Sequence, residues 1–278
     1  MLGLISDMHG NPVALDAVIA DGAELGVAAW WVLGDLAAVG PEPAATLERL
    51  ANLPDARFVR GNTDRYIVTG ERPYPHEDDV ARDESLRELF DAVESSFSWT
   101  REALAPGGWL DWLAQLPEHR RATLTDGTRL LGVHASPASD DGRGIQPPHT
   151  DAELAELLAG ADADVVCGGH THLPTDRRID AMRAINLGSV SNPITPDLRA
   201  SYVLVADDAH GYSLAHRRVA YDHDAVLARI RRSSHPQADF LASFQRGDQD
   251  ELMRLRPPAL QRRAKAAPPS GPADLPPG

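Results

Sequence analysis

Residues of the kinds that bind metal ions recur along most of this chain, and most of them directly follow an apolar run typical of a β-strand. They fall into five groups: Asp7-Met8-His9, Gly34-Asp35, Gly61-Asn62, His134 and Gly168-Gly169-His170-Thr171-His172. Strand ends at one edge of an α/β sheet converge in space, so carboxylate, amide and imidazole side chains from distant parts of the sequence can meet there. The pattern predicts an α/β fold with a metal site at a sheet edge, which points to a metallohydrolase.

The first 60 residues have the order strand, helix, strand, helix, strand. Apolar runs predict strands at 2–6, 28–33 and 56–60, and the residues at 42–53 predict a helix. The segment Gly10-Asn11-Pro12 predicts the start of the other helix, because asparagine is a good N-cap and proline is favoured at the first helical position. This alternating order is typical of an α/β fold.

Residues 81–116 change to helical spacing, and we expect a helical insertion or cap there. Its three tryptophans, Trp99, Trp109 and Trp112, could stack on a base or sugar, but the helical spacing favours packing in the core. A further helix is predicted at 224–233. Strands of the second half are predicted at 130–133, 164–166, 182–186, 202–205 and 212–216. We expect these strands to complete a second sheet.

The length and hydrophobic content suit one large domain. With 278 residues, of which 42% are hydrophobic, the chain can bury a full core. We predict a single domain over 1–255, with 81–116 as its helical insertion. Residues 256–278 are predicted to be a disordered tail, because seven prolines fall between 257 and 278 and little apolar surface is left to pack.

The net charge and the cysteine content limit the partners and the cellular compartment that we expect for this chain. The net charge of −14 argues against a chain built mainly to hold nucleic acid or an anionic membrane, although the part from Arg229 to Lys265 has nine basic and four acidic residues. Cys167 is the single cysteine, which excludes an internal disulfide. The first strand begins at Leu2, and no stretch approaches 18 apolar residues, so we expect a cytoplasmic protein with no membrane partner.

Taken singly, most of the candidate ligands also have plain structural explanations. A polar residue after a strand, such as Asp7 or Asp35, is usually a turn residue or a helix cap. Asn62 tolerates a left-handed backbone, and a lone histidine such as His134 is more often a hydrogen-bonded interior residue. The segment 168–172 is more specific, because two imidazoles flank one residue and the glycines allow a tight turn. Two divalent ions about 3.5–4 Å apart need a shared carboxylate and several further donors, and the chain has that number.

Together the groups resemble the motif series of the calcineurin-like metallophosphoesterase family. That series runs D-x-H, G-D, G-N-x-[DE], a lone H and G-H-x-H. This chain has Asp7-Met8-His9, Gly34-Asp35, Gly61-Asn62-Thr63-Asp64, His134 and Gly169-His170-Thr171-His172 in the same order. The resemblance covers about residues 1 to 216 and implies a four-layer α/β/β/α sandwich.

The resemblance also implies a cofactor and a reaction. The cofactor would be two divalent metal ions, with manganese as the working choice and iron, zinc, nickel or cobalt as alternatives. The reaction would be hydrolysis of a phosphomonoester or phosphodiester by a hydroxide held on the two metals. By the same resemblance, one metal would be held by Asp7, His9 and His172, the other by Asn62, His134 and His170, and Asp35 would bridge them.

One position departs from the family pattern. Many members have a histidine in the third motif that protonates the leaving oxygen, whereas this chain has Thr63, whose hydroxyl cannot act as a general acid near neutral pH. In this respect the chain resembles a small bacterial and archaeal branch of the family. His9 or a metal-bound water is the alternative proton donor. Asp64 and Arg65 are the other catalytic candidates: Arg65 would contact a substrate phosphate, or else form an ion pair with a neighbour such as Asp64.

Three functions are compatible with these residues. The leading one is a metal-dependent phosphatase or phosphodiesterase acting on a small phosphate ester. The second is a non-catalytic metal-binding scaffold, which the intact set of seven ligands argues against. The third is a nuclease of the same family, which the net charge disfavours and the basic segment after Arg229 keeps open. The substrate, the role of the C-terminal segment and the oligomeric state are left open by the sequence.

Overall fold

A computed structural model describes residues 1–246 of the chain, and the predicted tail at 256–278 lies outside this range. The strands of the described part are β1 (Leu2–Ile5), β2 (Ala29–Leu33), β3 (Ala56–Val59), β4 (His119–Thr123), β5 (Arg129–Val133), β6 (Val165–Gly168), β7 (Thr175–Ile179), β8 (Met182–Asn186), β9 (Ala200–Asp208) and β10 (Gly211–Val219). The α-helices are α1 (Pro12–Glu24), α2 (Pro43–Ala51), α3 (Asn62–Thr69), α4 (Glu77–Arg82), α5 (Arg87–Leu104), α6 (Trp109–Ala114), α7 (Asp151–Leu157), α8 (His223–Arg232) and α9 (Ala238–Arg246). Within residues 1–246, no helix has the length and apolar character needed to cross a membrane.

The strands form two five-stranded mixed sheets. The first sheet has the order β10-β9-β1-β2-β3, and the second has the order β4-β5-β6-β8-β7. Strands β1, β2 and β3 are parallel to one another, as are β5, β6 and β8. Each sheet therefore has a parallel part whose strands end at one edge, which is the arrangement that brings strand-end residues together.

Neighbouring residues of one strand point into different layers. Leu4 packs between the two sheets, whereas Ile5 packs against the helices that cover the first sheet. In the second sheet Leu130 faces the first sheet and Leu131 packs against α7. Since side chains alternate across a strand, each sheet separates two apolar cores. The layers are helices, sheet, sheet and helix, so the predicted four-layer α/β/β/α fold is confirmed.

The predicted second sheet was wrong for its last two strands. The hairpin of β9 and β10 joins the first sheet, where Leu2 of β1 pairs with Val205 in antiparallel register. The apolar pattern of β9 shows that both of its faces are buried, but it carries no information about the strand to which its backbone bonds. Strands β4 and β7 were not predicted. Both are edge strands with alternating exposed residues and a high content of charge.

Helices occupy most of the predicted segment 81–116, in α4, α5 and α6 with two short 3₁₀ turns between them. Trp109 and Trp112 pack against the first core, and the ring centre of Trp112 lies 5.0 Å from that of Phe58. Trp99 contacts His235 at 4.7 Å between ring centres. Trp109 and Trp112 therefore pack against the core, as their spacing favours, whereas Trp99 packs against His235. The division into a domain with an insertion stays a prediction.

Candidate metal centre

The candidate ligands follow the ends of five strands, at the edge where the parallel parts of the two sheets meet. Asp7 and His9 follow β1, and Asp35 follows β2. The remaining candidates follow β3, β5 and β6 and are Asn62, His134, His170 and His172. Backbone hydrogen bonds join the first two loops, since the N–H of Asp7 donates to Gly34 at 3.0 Å and the N–H of His9 donates to Asp35 at 3.0 Å.

Most of these residues have an unusual backbone conformation. The φ angles of five candidates are positive: Asp7 59°, His9 45°, Asp35 57°, His170 70° and His172 58°. Left-handed backbone in residues other than glycine costs on the order of 1–3 kcal/mol per residue and is concentrated at functional sites. Close packing adds a further constraint, because a Cβ at Gly169 would lie 2.3 Å from Oδ2 of Asp7. The surrounding structure therefore holds these loops in a strained backbone conformation around the candidate side chains.

The first cluster consists of Asp7, His9 and His172. The Nε2 atoms of His9 and His172 lie 3.2 Å apart. Oδ1 of Asp7 lies 3.2 Å from Nε2 of His172 and 4.0 Å from Nε2 of His9. All three side chains are buried or nearly so, and their donor atoms are close enough to contact one ion.

The second cluster consists of Asn62, His134 and His170. Oδ1 of Asn62 lies 3.0 Å from Nε2 of His134 and 3.1 Å from Nδ1 of His170. Asp35 lies between the clusters: its Oδ1 is 3.3 Å from Nε2 of His134, and its Oδ2 is 3.8 Å from Nε2 of His9. One carboxylate therefore has an oxygen directed at each cluster. The structure thus brings all seven sequence-predicted metal ligands together.

Hydrogen bonds to backbone carbonyls fix which nitrogen of each ring is available. Nδ1 of His9 donates to Ala38 at 2.9 Å, and Nδ1 of His134 donates to Leu33 at 2.7 Å. Nδ1 of His172 donates to Asn192 at 2.7 Å. A carbonyl oxygen only accepts hydrogen bonds, so these nitrogens hold the ring hydrogens and the Nε2 atoms present lone pairs.

His170 has the opposite orientation. Its Nε2 donates to the carbonyl of Gly142 at 2.9 Å, which leaves Nδ1 to face Asn62. Four ring lone pairs, two carboxylates and one amide oxygen therefore converge in a space where acceptors face acceptors at about 3 Å. These lone pairs and carboxylates repel one another unless a cation or protons lie between them. The nitrogen and oxygen donors suit a divalent transition metal. The residues present fit the metal ions implied by the motif series.

The charges of Asp35 and His134 depend strongly on each other. Burial disfavours the charged form of Asp35, but the neighbouring His134 outweighs burial and holds the pKa of Asp35 far below its ordinary value. Burial also opposes a charge on His134, yet Asp35 raises the pKa of His134 to about 10. In the absence of a metal ion, a proton on His134 therefore offsets the carboxylate. Metal binding must displace such protons, so metal affinity falls as the pH falls.

His9 was predicted both as a ligand and as a proton donor. Burial lowers the pKa of His9, and the hydrogen on its Nδ1 is directed at Ala38. Its Nε2, which faces the cluster, therefore presents a lone pair rather than a hydrogen. This geometry suits the ligand role and lends no support to the role of general acid.

Asp64, a predicted catalytic residue, is fully buried and faces the protein backbone. Its carboxylate accepts hydrogen bonds from the backbone N–H groups of Asp35 at 3.0 Å, Leu36 at 2.9 Å and Gly61 at 2.9 Å. Burial and the charge of Asp35 raise the pKa of Asp64 to about 7. The side chain joins the loop after β2 to the loop after β3, which makes Asp64 a positioning residue for Asp35.

Arg65 lines the cavity beside the cluster, but its guanidinium is already engaged. Its Nε lies 3.1 Å from each carboxylate oxygen of Asp140, and its Nη2 lies 3.1 Å from Oδ1 of the same residue. Glu71 contacts its Nη1. The ion pair expected with Asp64 is therefore formed with Asp140 and Glu71 instead. A substrate phosphate would have to share the guanidinium with these carboxylates.

Two residues near the centre were not found from the sequence, namely Asn192 and Gln245. The carbonyl of Asn192 orients His172, and Nε2 of Gln245 donates to Oδ1 of Asn192 at 3.0 Å and to Ser191 at 3.2 Å. Oε1 of Gln245 accepts from the hydroxyl of Tyr221 at 2.9 Å. An asparagine in the polar segment after a strand is a usable sequence signal, and Asn192 follows β8 and has a positive φ of 54°. Gln245 is a single buried polar residue on the amphipathic helix α9, and nothing in the sequence connects it to the site.

We expect Gln245→Ala to weaken metal binding by about tenfold, the lower end of the range for residues that support metal ligands indirectly. Loss of the side-chain amide frees Asn192, whose carbonyl holds the ring of His172. Calorimetric titration of metal-free protein with Mn²⁺ measures the change. Ser243→Ala is the matched control, because among residues 1–246 the hydroxyl of Ser243 donates to its own helix, at the carbonyl of Phe240. Equal metal affinity in both variants and the wild type would refute this support.

Comparisons with known proteins agree with this site. The calcineurin-like phosphoesterase superfamily domain matches residues 1–209. An uncharacterized protein of Methanocaldococcus jannaschii is 25% identical over 253 residues, which cover 85% of this chain and 94% of that protein. The crystal structure of a metallophosphoesterase from Sphaerobacter thermophilus is 27% identical with a TM-score of 0.68, and the match covers 88% of this chain and 98% of that one.

A hypothetical protein of Pyrococcus horikoshii OT3 has a similar fold, with a TM-score of 0.72, 21% identity and coverage of 88% of this chain and 98% of that one. The family match begins before the first motif and ends after the last, so it includes all seven candidate ligands. The fold, the motif order and the match over most of the chain lead to one conclusion: this chain belongs to the calcineurin-like phosphoesterase superfamily.

Proposed function

We propose that this chain is a dinuclear metal-dependent phosphoesterase that hydrolyses phosphomonoesters or phosphodiesters. Membership of the superfamily supports metal-dependent phosphoester hydrolysis as the general reaction. The observation that carries the dinuclear part is the position of Asp35, whose two carboxylate oxygens face different clusters of lone-pair donors. A single ion would require only one of these clusters.

The residues assigned to the metals are those of the two clusters. Asp7, His9 and His172 would hold one ion, with Asp35 shared. Asn62, His134 and His170 would hold the other. When bound, divalent ions at such a site polarise a phosphoryl oxygen and lower the pKa of water to near neutrality. Manganese is our first choice, with iron, zinc, nickel and cobalt as alternatives for this nitrogen and oxygen set.

The protein's own contribution is orientation. Backbone carbonyls hold the four imidazole rings, and Asp64 holds the loop that carries Asp35. Thr63 lies at the cavity wall, where its N–H donates to Oδ1 of Asp35 at 3.0 Å. Its buried hydroxyl has no hydrogen-bond partner among residues 1–246. The hydroxyl cannot release its proton near neutral pH, so Thr63 does not provide a general acid.

We expect the enzyme to prefer esters with good leaving groups, because no imidazole occupies the position of Thr63 to protonate the departing oxygen. The p-nitrophenyl ester should react about a hundredfold faster than the phenyl ester, which is the lower end of what a general acid contributes. The measurement is kcat/KM over a series of substituted phenyl phosphates, with chemistry verified as rate-limiting.

Two variants test whether the residue at position 63 determines this dependence on the leaving group. Thr63→His should flatten the dependence if the ring reaches the leaving oxygen, whereas Thr63→Val should leave the slope unchanged because it removes no acid. A flat dependence in the wild type would show that another group supplies the proton, and His9 would be the first residue to test.

The reaction is tested by a substrate panel with added Mn²⁺. It compares p-nitrophenyl phosphate, bis-p-nitrophenyl phosphate, cyclic nucleotides and dinucleoside polyphosphates with DNA and RNA. Hydrolysis of a small ester supports the proposal. Inactivity on every member with metal verified as bound would favour the alternative of a non-catalytic scaffold, and cleavage of nucleic acid alone would favour a nuclease. We further propose a small phosphate ester as the partner and the cytoplasm as the location.

A further inference from the structure

A cavity of about 840 Å³ lies beside the metal centre and is larger than a phosphate group requires. Its lining includes His9, Asp35 and Asn62 of the metal centre. It also includes a set of apolar side chains, which we call the apolar arm. The apolar arm consists of Leu89, Val93 and Phe97 of α5, Ile194, and Phe240 and Phe244 of α9.

Two helices, α5 and α9, contribute most of the side chains of the apolar arm. Val93 and Phe97 are 6% and 2% exposed, and they belong to the first core. Phe240 packs against that core, and its ring centre lies 5.3 Å from that of Phe244 in an edge-to-face arrangement. Helix α9 lies beyond residues 1–209, which the family domain matches. The arm therefore depends on a part of the chain outside the family motifs.

The cationic side chains that line the cavity are already paired. Arg65 is bound to Asp140, and Nε of Arg72 lies 3.1 Å from Glu94. Nη2 of Arg143 lies 3.3 Å from Glu156. Within residues 1–246, the arginines of the cavity therefore have little charge left to offer a chain of phosphates. The lining also includes Glu71 and Asp141, which would repel such a chain.

A substrate that fits both the metal centre and the apolar arm has one phosphoryl group and a bulky apolar remainder. The phosphoryl group belongs at the metal centre, and the remainder covers the apolar arm, because burial of apolar surface stabilises the complex. Aromatic walls favour an aromatic remainder through edge-to-face and stacked contacts. A nucleic acid or a polyphosphate has the opposite character, since its charge continues away from the reacting phosphorus.

We propose that the substrate is a phosphate ester of an aromatic or similarly bulky apolar alcohol, and that this alcohol lies in the apolar arm against the half-buried Leu89 and Phe240. This inference rests on the proposed phosphoesterase function. Hydrolysis consumes one water, forms a new P–O bond with its oxygen and breaks the ester P–O bond. The departing oxygen takes up a proton, and the apolar alcohol is released.

The test compares ligands that differ only in apolar size. Phenylphosphonate and 2-naphthylphosphonate cannot be hydrolysed, and their binding to the full-length protein with Mn²⁺ is measured by calorimetry. We expect the naphthyl compound to bind about tenfold more tightly, since the second ring buries additional apolar surface. The KM values of phenyl and 2-naphthyl phosphate should show the same preference, because the two leaving groups have similar acidity.

Variants of cavity residues on α9 and α5 test whether the apolar arm causes this preference. Phe240→Ala should reduce the naphthyl preference to about twofold or less, since the loss of one aromatic wall removes most of the added contact. Leu89→Ala should reduce it as well, and it tests the α5 side chains of the arm if the first variant is unstable. Phe90→Ala is the control, because Phe90 lies on α5 outside the cavity lining and contacts Arg87. This control should keep the full preference.

Failure of the phosphoesterase function and failure of the apolar arm as the alcohol site give different results. If no ester is hydrolysed by metal-loaded protein, the phosphoesterase function fails, whatever the phosphonates do. If esters are hydrolysed but phenyl and naphthyl compounds bind equally in the wild type, the apolar arm is not the site of the alcohol. A naphthyl preference that survives unchanged in folded Phe240→Ala and Leu89→Ala would also overturn the inference.

Discussion

Asp35→Asn should lower kcat on the order of a thousandfold, the upper end of the cost of losing one electrostatic contact at a catalytic centre. Asp35 has one carboxylate oxygen directed at each cluster, at 3.3 Å from His134 and 3.8 Å from His9. A neutral amide would leave the repulsion between two divalent ions without its shared counter-charge. Asparagine tolerates the left-handed backbone at this position, so the loop itself should be retained.

The measurement combines turnover with metal content. The variant should bind fewer than two ions per chain and have strongly reduced turnover. Its melting temperature without metal should also fall, because the buried charge of His134 loses its partner. Asp55→Asn is the matched control: Asp55 also has a positive φ, of 41°, but it is exposed and pairs with Arg57. If Asp35→Asn kept two metals and near-normal turnover, the bridging assignment would be wrong.

Asp64→Ala should destabilise the metal-free protein by several kcal/mol. Its carboxylate accepts three backbone N–H groups, those of Asp35, Leu36 and Gly61, and each buried donor left unpaired costs about 1–3 kcal/mol. The loops after β2 and β3 would lose their connection, so metal affinity should fall as well. The midpoint of urea unfolding with a chelator present measures the first effect, and Mn²⁺ titration measures the second.

Two measurements, unfolding and metal affinity, distinguish a positioning role of Asp64 from a catalytic role. Asp64→Asn should be milder than Asp64→Ala, because the amide oxygen still accepts some of these hydrogen bonds while the amide nitrogen faces a donor. If unfolding and metal affinity were both unchanged while kcat fell, Asp64 would act on the substrate, as the sequence interpretation held.

The sequence is most informative where function depends on local chemistry. Residues such as Asp7, Asp35 and His134 each stand directly after a strand, and the convergence of strand ends at a sheet edge was enough to predict that they meet. The βαβαβ order and the N-cap of α1 at Asn11 depend on short-range rules, and both are present as expected.

The sequence is least informative where the outcome depends on distant contacts. The apolar pattern of β9 could not show that it pairs with β1, because backbone pairing depends on neighbours that lie far away in the chain. The partner of Arg65 is Asp140, 75 residues away, rather than the adjacent acid. Gln245 reaches the site only because α9 packs beside Asn192. These contacts arise from tertiary packing, for which local spacing gives no signal.

The central claim is that the lone-pair donors around Asp35 hold two metal ions and that these ions are required for phosphoester hydrolysis. Its most direct test is a titration of chelator-treated protein with Mn²⁺, in which bound metal and the hydrolysis of bis-p-nitrophenyl phosphate are measured in the same samples. We predict no turnover without metal and a rise that saturates when two ions are bound per chain. Turnover that survives complete removal of metal, or two bound ions with no hydrolysis of any phosphate ester, would contradict the claim.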